Sequence, residues 1–511
     1  MAQLSYRGNL KAASFPFLSE LFGRTVVVRG QDQNFVGGLA AKESLDSSVG
    51  VPQIYFAQNV IPTDHGYASV GYVQQTAGVG SGFSQVVTIR DGSGNSAQLA
   101  LTSAGLLYIL PAGSNSWQVP VGSPGAAGSR MTVAFVSGVT YIWFSAGVGC
   151  YTYDWGTNTM SSVTLDGLVV ADILGIVGST GYLLAYSTDA IAWSSTIDAT
   201  DFAPSLTTGA GGGAVEGVRG AIVTVEEVYG GLIIFAAANA VAAQYSGNPR
   251  YPYNFVPITG CGGLTSPNHV SQDTGAGSIY AYTTSGMQQV SLRAAANVFP
   301  ELTDFISGSL LEDFDTNTLT LSLIDASGDE LEKRIALVAD RYLIISYGVG
   351  ALTHALYYDT AYKQFGRLKL SHVDCFEFIA YTAGTAEVPK RSIAFLQDTG
   401  AIQVLESDIN SAATHTGVVL LGKFQYVRSR WLQLEAAEFE NVNQGDTFAL
   451  YDLPSLDGKN FQTAVTGYLA SSTGKLRTYN FHTVALNHTL LAVGKFNAVS
   501  FQLDFVISGS R

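Results

Sequence analysis

The apolar positions of this chain fall in short runs, doubled or alternating, each broken by a small or polar residue. One copy is Leu99-Ala100-Leu101-Thr102-Ser103-Ala104-Gly105-Leu106-Leu107-Tyr108-Ile109-Leu110. Others span 131–144 around Gly138, 183–193 around Asp189, 233–245 around Asn239 and 279–290 around Ser285-Gly286. Two more span 343–358 around Gly350 and 393–405 around Thr399-Gly400. A period of two marks a strand, and a turn residue between two such runs marks a hairpin. The turn centres lie near 104, 138, 189, 239, 286, 350 and 400. A hairpin repeat of roughly 40–50 residues predicts propeller blades. One small sheet cannot bury both its faces, and radial stacking buries each against a neighbour.

A second echo supports the repeat. Tyr151-Thr152-Tyr153-Asp154-Trp155-Gly156-Thr157-Asn158-Thr159-Met160 resembles Leu356-Tyr357-Tyr358-Asp359-Thr360-Ala361-Tyr362-Lys363-Gln364-Phe365. Glu312-Asp313-Phe314-Asp315-Thr316-Asn317-Thr318-Leu319 is a looser copy. A strand ends in Asp, a polar turn follows, and a large apolar residue opens the next strand. This predicts the outer hairpin of a blade, with Asp holding the turn.

The two ends differ from the middle. Phe15-Pro16-Phe17-Leu18-Ser19-Glu20-Leu21-Phe22-Gly23 predicts one short helix stopped by Gly, and Thr25–Val28 a strand. After residue 410 the blade rhythm stops. Trp431–Glu435, Phe448–Tyr451, Lys475–Phe481 and Val499–Ile507 read as strands, with a turn at Asp457-Gly458. The expected architecture is all-β. A β-propeller of about seven blades fills 76–410, an N-terminal segment 1–75 packs on it, and a small β-sandwich-like domain occupies 411–511.

Composition agrees with many short strands and tight turns. Gly is 56 of 511 residues, and charged residues are 13%, roughly half the usual share. The formal net charge is −14, from 26 basic and 40 acidic side chains, so the cations needed to grip phosphates are not in excess. An acidic wall repels phosphate and would surround DNA without binding it. Cys150, Cys261 and Cys375 are odd in number and far apart, which argues against a disulfide framework and for a reducing compartment. The start has no apolar signal region, and the longest nearly apolar run, 232–243, falls short of the roughly 18 residues of a membrane helix.

Candidate chemistry is sparse. Thr207-Thr208-Gly209-Ala210-Gly211-Gly212-Gly213-Ala214 lacks the G-K-[ST] ending of a phosphate loop and reads as a flexible surface loop. Asp313, Asp315 and Asn317 match the first positions of a calcium loop, but Thr318 stands at the sixth and Ile324 at the twelfth. Ser187-Thr188-Asp189 with Trp193 is similar to a sialidase turn, without that family's arginine clamp. The histidines, at 65, 269, 354, 372, 415, 482 and 488, form no cluster. Lys423, Tyr426, Arg428, Arg430 and Trp431 make one basic-aromatic stretch, which reads as an interface or solvated strand face. No residue is assigned a catalytic role, and no cofactor or metal is expected. Gly209, Gly211, Gly212, Gly213, Asp313 and Asp315, with the segment 150–160, are the candidate channel or interface positions.

Several stretches carry a family resemblance. Asn59-Val60-Ile61-Pro62-Thr63-Asp64-His65-Gly66-Tyr67-Ala68-Ser69-Val70-Gly71-Tyr72 resembles the early segment of podophage tail proteins, with its Pro-Thr-x-x-Gly-x-x-Ser-Val-Gly-Tyr pattern. Ala192-Trp193-Ser194-Ser195, Asp198-Ala199-Thr200-Asp201-Phe202, Gly230–Phe235, Tyr245–Pro249 and Tyr253-Asn254-Phe255 follow in an order similar to packaged-DNA stabilisation and tail tubular proteins, the nozzle family of short-tailed bacteriophages. The resemblance covers roughly 50–265. It implies a non-enzymatic structural protein of the virion tail, made in the host bacterial cytoplasm. It implies a homo-hexameric ring below portal and adaptor (the head-to-tail connector) that carries tail fibres or tip proteins. Such a ring helps retain the packaged genome and conducts genomic DNA without sequence-specific binding. The alternative is a propeller binding module of a phage tail, for a glycan or receptor.

Overall fold

A computed structural model describes residues 3–9, 26–28, 54–64, 66–90, 96–111, 114–169, 172–179, 181–248, 251–271, 277–300, 302, 311–315, 318, 320–324, 331–380, 390–406, 416–426, 431–442, 447–455, 462–473 and 475–507. The helix expected at 15–23 and the turn at 457–458 lie outside them.

Seven antiparallel sheets follow one another along the chain and close into a β-propeller. Blade 1 is Phe83–Arg90, Ser96–Thr102 and Leu107–Pro111, with Gln118 bridged to Ile109. Blade 2 is Met131–Val136, Val139–Phe144, Gly149–Asp154 and Thr159–Val163. Blade 3 is Gly175–Ser179, Tyr182–Tyr186, Ala190–Trp193 and Gly211–Ala214. Blade 4 is Ile222–Val228, Gly231–Ala236, Ala240–Tyr245 and Tyr253–Pro257. Blade 5 is Ser278–Thr283, Gly286–Ser291 and Ala295–Asn297. Blade 6 is Leu331–Val338, Tyr342–Val349, Leu352–Asp359 and Gln364–His372. Blade 7 is Asp374–Ala380, Lys390–Leu396 and Ile402–Glu406, completed by the early strand Gly71–Thr76.

The doubled apolar runs have a simple cause. Successive side chains of a strand point to opposite faces, and a blade is buried on both. Leu99 and Leu101 pack toward blade 2, while Ala100 between them packs toward blade 7. Ile234 joins the core shared with blade 3, and its neighbours Ile233 and Phe235 join the core shared with blade 5. Leu343 and Ile345 face blade 5, and Ile344 faces blade 7. With Trp143 and Leu183 between blades 2 and 3, seven inter-blade cores complete the circle. Each large side chain so buried contributes about 1.5–3 kcal/mol.

Every sequence-read turn centre is a hairpin turn of a different blade, and the uneven spacing has a structural reason. In five blades the read turn joins the second and third strands. In blade 2 it joins the first and second, and in blade 5 it joins Ser278–Thr283 to Gly286–Ser291, with Val270 bridged to Ala281 on the other edge of Ser278–Thr283. The widest gap, 286 to 350, also holds an extra hairpin, Leu311–Asp315 with Thr320–Ile324, that belongs to no blade.

The remaining strands make a two-layer sandwich. One sheet holds Asn497–Ile507, Leu432–Asn441, Leu476–Ala485 and Tyr468–Thr473. The other holds Gly417–Tyr426, Asn487–Gly494, Phe448–Asp452 and Val465–Thr466. Phe424, Leu434, Phe439, Leu490, Phe501 and Phe505 fill the space between them. The segment 1–75, read as a unit packing on the propeller, is divided in the structure. Gln3–Asn9 pairs with Asn497–Ile507, and Val26–Val28 and Ile54–Gln58 flank Gly417–Tyr426, so these strands belong to the sandwich. Gly71–Thr76 belongs to the propeller. Among the described residues no helix is long and apolar enough to cross a membrane.

Candidate functional site

The segment 59–72 forms a seam between propeller and sandwich. Val60–Pro62 and Tyr67–Ser69 pair as a hairpin, turned by Thr63, whose N–H donates to Gly66 O at 2.8 Å. Val60 pairs with Arg367 in the outer strand of blade 6, and Ala68 and Tyr67 pair with Asn497 and Ala498 of the sandwich. A single sheet therefore runs without a break from the innermost strand of blade 6 into the sandwich. Asn59, at φ +53°, turns the chain into it, and its Oδ1 accepts from Lys369 N at 2.9 Å. Ser69 Oγ accepts from Phe496 N at 3.0 Å. Arg367, 2% exposed, donates from Nε to Tyr347 OH at 3.0 Å and lies 4.9 Å over the ring of Phe56. Blade 6 and the sandwich sheet of Gly417–Tyr426 thus meet at one buried guanidinium. Gly366 and Gly417 are glycines because backbones close here: a Cβ on Gly366 would sit 2.3 Å from Val60 O, and one on Gly417 would sit 2.6 Å from Ser69 Cβ.

The candidate loop positions fall elsewhere. Gly211, Gly212 and Gly213 are not a flexible loop. They are the outermost strand of blade 3, paired with Ala190–Trp193. That strand lies away from the propeller axis, which the first strands of the blades surround. Trp193 explains the run of glycines. Its indole N–H donates to Gly209 O at 3.0 Å, and its ring would lie 3.2 Å from a Cβ on Gly211. Gly212 has Ile191 O at 2.7 Å from its Cβ position, so the backbones close face to face. Gly209 turns the chain at φ +76°. Asp313 and Asp315 stand in one strand of the extra hairpin rather than around a loop. Asp315 Oδ1 accepts from Thr318 N at 3.4 Å and caps a turn. Segment 150–160 is the outer hairpin of blade 2, and 356–365 that of blade 6. Asp154 accepts from Gly156 N at 2.8 Å and Asp359 from Ala361 N at 2.9 Å, so both aspartates hold the turns as their sequence echo implied. The Ser187 hydroxyl donates to Asp189 Oδ1 at 3.0 Å, which makes that stretch a hairpin turn. Of the basic-aromatic stretch, residues 427–430 lie outside the described residues.

The first strands of the blades are tied by polar side chains that no local motif signalled. Gln85 of blade 1 clasps Met131 of blade 2, donating to its O at 2.7 Å and accepting from its N at 2.9 Å. Thr132 Oγ1 accepts from Ile176 N of blade 3 at 2.9 Å. Asp374 of blade 7 accepts from Val86 N of blade 1 at 2.7 Å and pairs with Arg334 of blade 6. Lys333 lies 5.0 Å over the Tyr282 ring of blade 5. Each partner is distant in sequence, so only the closed ring brings them together.

Among the described residues, the buried groups Glu226, His372 and His269 give the propeller a pH signature near neutrality. Burial pushes the Glu226 carboxyl up to about 7, against the pull of the Arg130 cation. Burial pushes His372 down to about 4; its Nδ1 faces Leu370 O at 2.7 Å and its Nε2 faces Ser346 Oγ at 2.8 Å. Burial, with Lys333 nearby, does the same to His269. A raised carboxyl stabilises the fold below its unfolded value of 4.5 and loses that contribution as pH climbs through about 7. The depressed histidines stabilise the fold above 6.5 and lose that as pH falls through about 4. The two effects oppose each other between pH 4.5 and 6.5. Glu226→Gln is expected to raise the melting temperature at pH 8 by about 2–4 °C and to leave it unchanged at pH 4.5. Scanning calorimetry across pH checks this, and an equal shift at both pH values would contradict it.

The remaining chemistry is quiet. Cys150 and Cys375 are buried and Cys261 is half-buried, all three free. Burial pushes the Cys150 and Cys261 thiols up to about 12, so neither is a ready nucleophile. Among the described residues no group of three or more His, Cys, Asp and Glu is placed to hold a metal ion.

No family model and no curated protein matches the chain. Solved structures similar to it include the WD40 β-propeller domain of Doa1, at 8% identity and TM-score 0.39, covering 66% of this chain and 97% of that one. YCF48 from Cyanidioschyzon merolae is similar at 15% identity and TM-score 0.37, over 65% of this chain and 98% of that one. The extracellular domain of BT4673 from B. thetaiotaomicron is similar at 12% identity and TM-score 0.41, over 86% of this chain and 62% of that one. The propeller assignment stands on this chain's own sheet order and closure.

Proposed function

We propose that this chain is a structural, non-enzymatic subunit of the tail nozzle of a short-tailed bacteriophage. The observation that carries the reading is the seam. The segment 59–72, which bears the most specific part of the resemblance to podophage tail proteins, joins propeller and sandwich through one continuous sheet. A wall that contains pressurised DNA has to transmit load between its parts without a hinge. A hydrogen-bonded sheet with a buried arginine at the joint does this, whereas a linker does not. The conduit is the centre of a ring of about six copies, not the axis of one propeller. The ring sits below the portal and its adaptor, carries fibres or tip proteins, and belongs to the virion tail. The −14 charge suits a wall along which DNA slides, since like charge keeps phosphates from sticking.

One observation favours a second reading, a propeller that binds a glycan or receptor. Trp193, Tyr182 and Tyr245 gather around Tyr253 between blades 3 and 4; Tyr182 and Tyr253 are buried in the core, while Tyr245 is 40% exposed and Tyr251, near them in sequence, 69%. The indole N–H of Trp193 is already used within the fold, which weakens that reading.

Electron microscopy of the purified chain, alone and with the tail adaptor, tests the proposal. A closed ring with an open centre is expected on the adaptor. A chain that stays monomeric with the adaptor and binds bacterial surface glycans would overturn the nozzle in favour of the binding module.

A further inference from the structure

One edge of the sandwich ends on open strands in both layers. Among the described residues Tyr468–Thr473 pairs only with Leu476–Ala485, and Val465–Thr466 pairs only with Phe448–Asp452. The chain crosses between the sheets at Gly467, whose N–H donates to Leu450 O at 2.8 Å, so both layers stop on the same side. The edge is apolar on its outside: Tyr468 is 78% exposed, Leu469 45% and Val465 38%. It is also uncharged. Residues 462–473 read Gln-Thr-Ala-Val-Thr-Gly-Tyr-Leu-Ala-Ser-Ser-Thr. Proteins guard exposed edges with lysine, proline or bulges, because unpaired N–H and C=O groups template another strand. Within 462–473 this edge has no lysine or proline; its guards are a register shift between Leu469 and Ser471 and Lys475 in the turn beyond Thr473.

The opposite side of the sandwich is also strand-edged. Among the described residues Gln3–Asn9 pairs only with Asn497–Ile507, and its seven residues hold a single charge, Arg7. We propose that the 465–473 edge docks a second copy of this chain, strand against strand, on the edge formed by Gln3–Asn9.

Charge selects the occupant. Two chains at −14 repel wherever carboxylates meet, so copies associate only through surfaces without net negative charge. This edge is such a surface, and it offers nothing to a phosphate backbone or a basic peptide. Main-chain hydrogen bonds supply the register, and Tyr468 and Leu469 supply apolar anchors. Because the two edges differ, the contact is head to tail, and such contacts propagate until rotation closes them. The inference rests on the nozzle reading only for that closure.

The test uses the full chain with Tyr468→Lys and Leu469→Lys, each on an exposed position, and Ile197→Lys on blade 3 as control. Ile197 is 84% exposed and distant in sequence from the edge. Unchanged thermal unfolding of each variant establishes that it folds. Sedimentation velocity across concentration then reads assembly. The expected result is self-association of the wild type and of the control, weakened at least about tenfold in both edge variants, or about 1.4 kcal/mol. Assembly of the edge variants like that of wild type would overturn the edge contact and leave the ring standing. A wild-type chain that stays monomeric at every concentration would also overturn it, while adaptor-driven rings would still uphold the nozzle.

Discussion

Gly366→Val is expected to split the thermal unfolding of this chain into two transitions, one for the propeller and one for the sandwich. Gly366 lies in the outer strand of blade 6, beside Arg367, where the propeller meets the linking strand Val60–Pro62. A Cβ there would stand 2.3 Å from Val60 O and 2.8 Å from Ile61 Cα. These are backbone atoms, so no side chain can swing aside, and the linking strand has to leave the sheet. Its departure opens the hairpin to Tyr67–Ser69 and strips cover from the buried Arg367 guanidinium. A buried charge without its surroundings is costly, so the loss is expected at about 4 kcal/mol or more. Gly350→Ala is the control. Gly350 sits at φ +66° in a hairpin turn with open space around it, so the change costs only the backbone strain of about 1 kcal/mol. Calorimetry reads both. One unsplit transition at the wild-type temperature in Gly366→Val would mean that the seam bears no load, and the nozzle reading would lose its main support.

The propeller was legible because its signal is local. A run such as Leu232-Ile233-Ile234-Phe235 broken at Asn239 reports a strand buried on both faces, whatever surrounds it. The Asp154 and Asp359 turns were legible for the same reason, since the acceptor and its N–H donors lie within a few residues. What escaped depends on contacts between distant parts of the chain. Gly71–Thr76 reads like any short strand, yet it pairs with Ile402–Glu406, where Ile402 N donates to Thr76 Oγ1 at 3.0 Å, and closes the ring. Gln3–Asn9 likewise shows nothing that directs it to the far end of the chain. The glycine run 209–213 misled because glycine serves both flexible loops and close approach. Trp193 in the preceding strand was the available clue, since a large flat ring needs a flat, bare strand to lie on. Glu226 was visible as a carboxylate inside an apolar strand, Val225-Glu226-Glu227-Val228, and such a residue in a first strand signals a buried titrating group.

The sandwich holds a buried histidine–carboxylate pair, and its removal carries the second large effect. His488 and Asp452 are both fully buried, with Nδ1 and Oδ2 2.8 Å apart. The other ring nitrogen, Nε2, faces Leu432 O at 3.0 Å. A carbonyl only accepts, so Nε2 carries a proton. One further proton then lies between Nδ1 and the carboxylate. The pair bridges the sandwich layers, because Asp452 and His488 lie in one sheet and Leu432 in the other. His488→Ala leaves a carboxylate in an apolar interior whose Oδ1 has no other partner, and a loss of about 3–5 kcal/mol is expected. Asp452→Ala removes the acceptor but leaves a ring able to stay neutral, so it should cost less. Asp452→Asn keeps a donor for a neutral ring and should cost under about 2 kcal/mol. The double change His488→Phe with Asp452→Leu should recover most of the loss, since filling the space with apolar groups removes the desolvation cost along with the bond. Urea unfolding of the four chains of the alanine cycle gives the coupling directly. Strict additivity of the two alanine changes would mean that the Nδ1–Oδ2 contact of His488 and Asp452 contributes nothing to the stability of the sandwich.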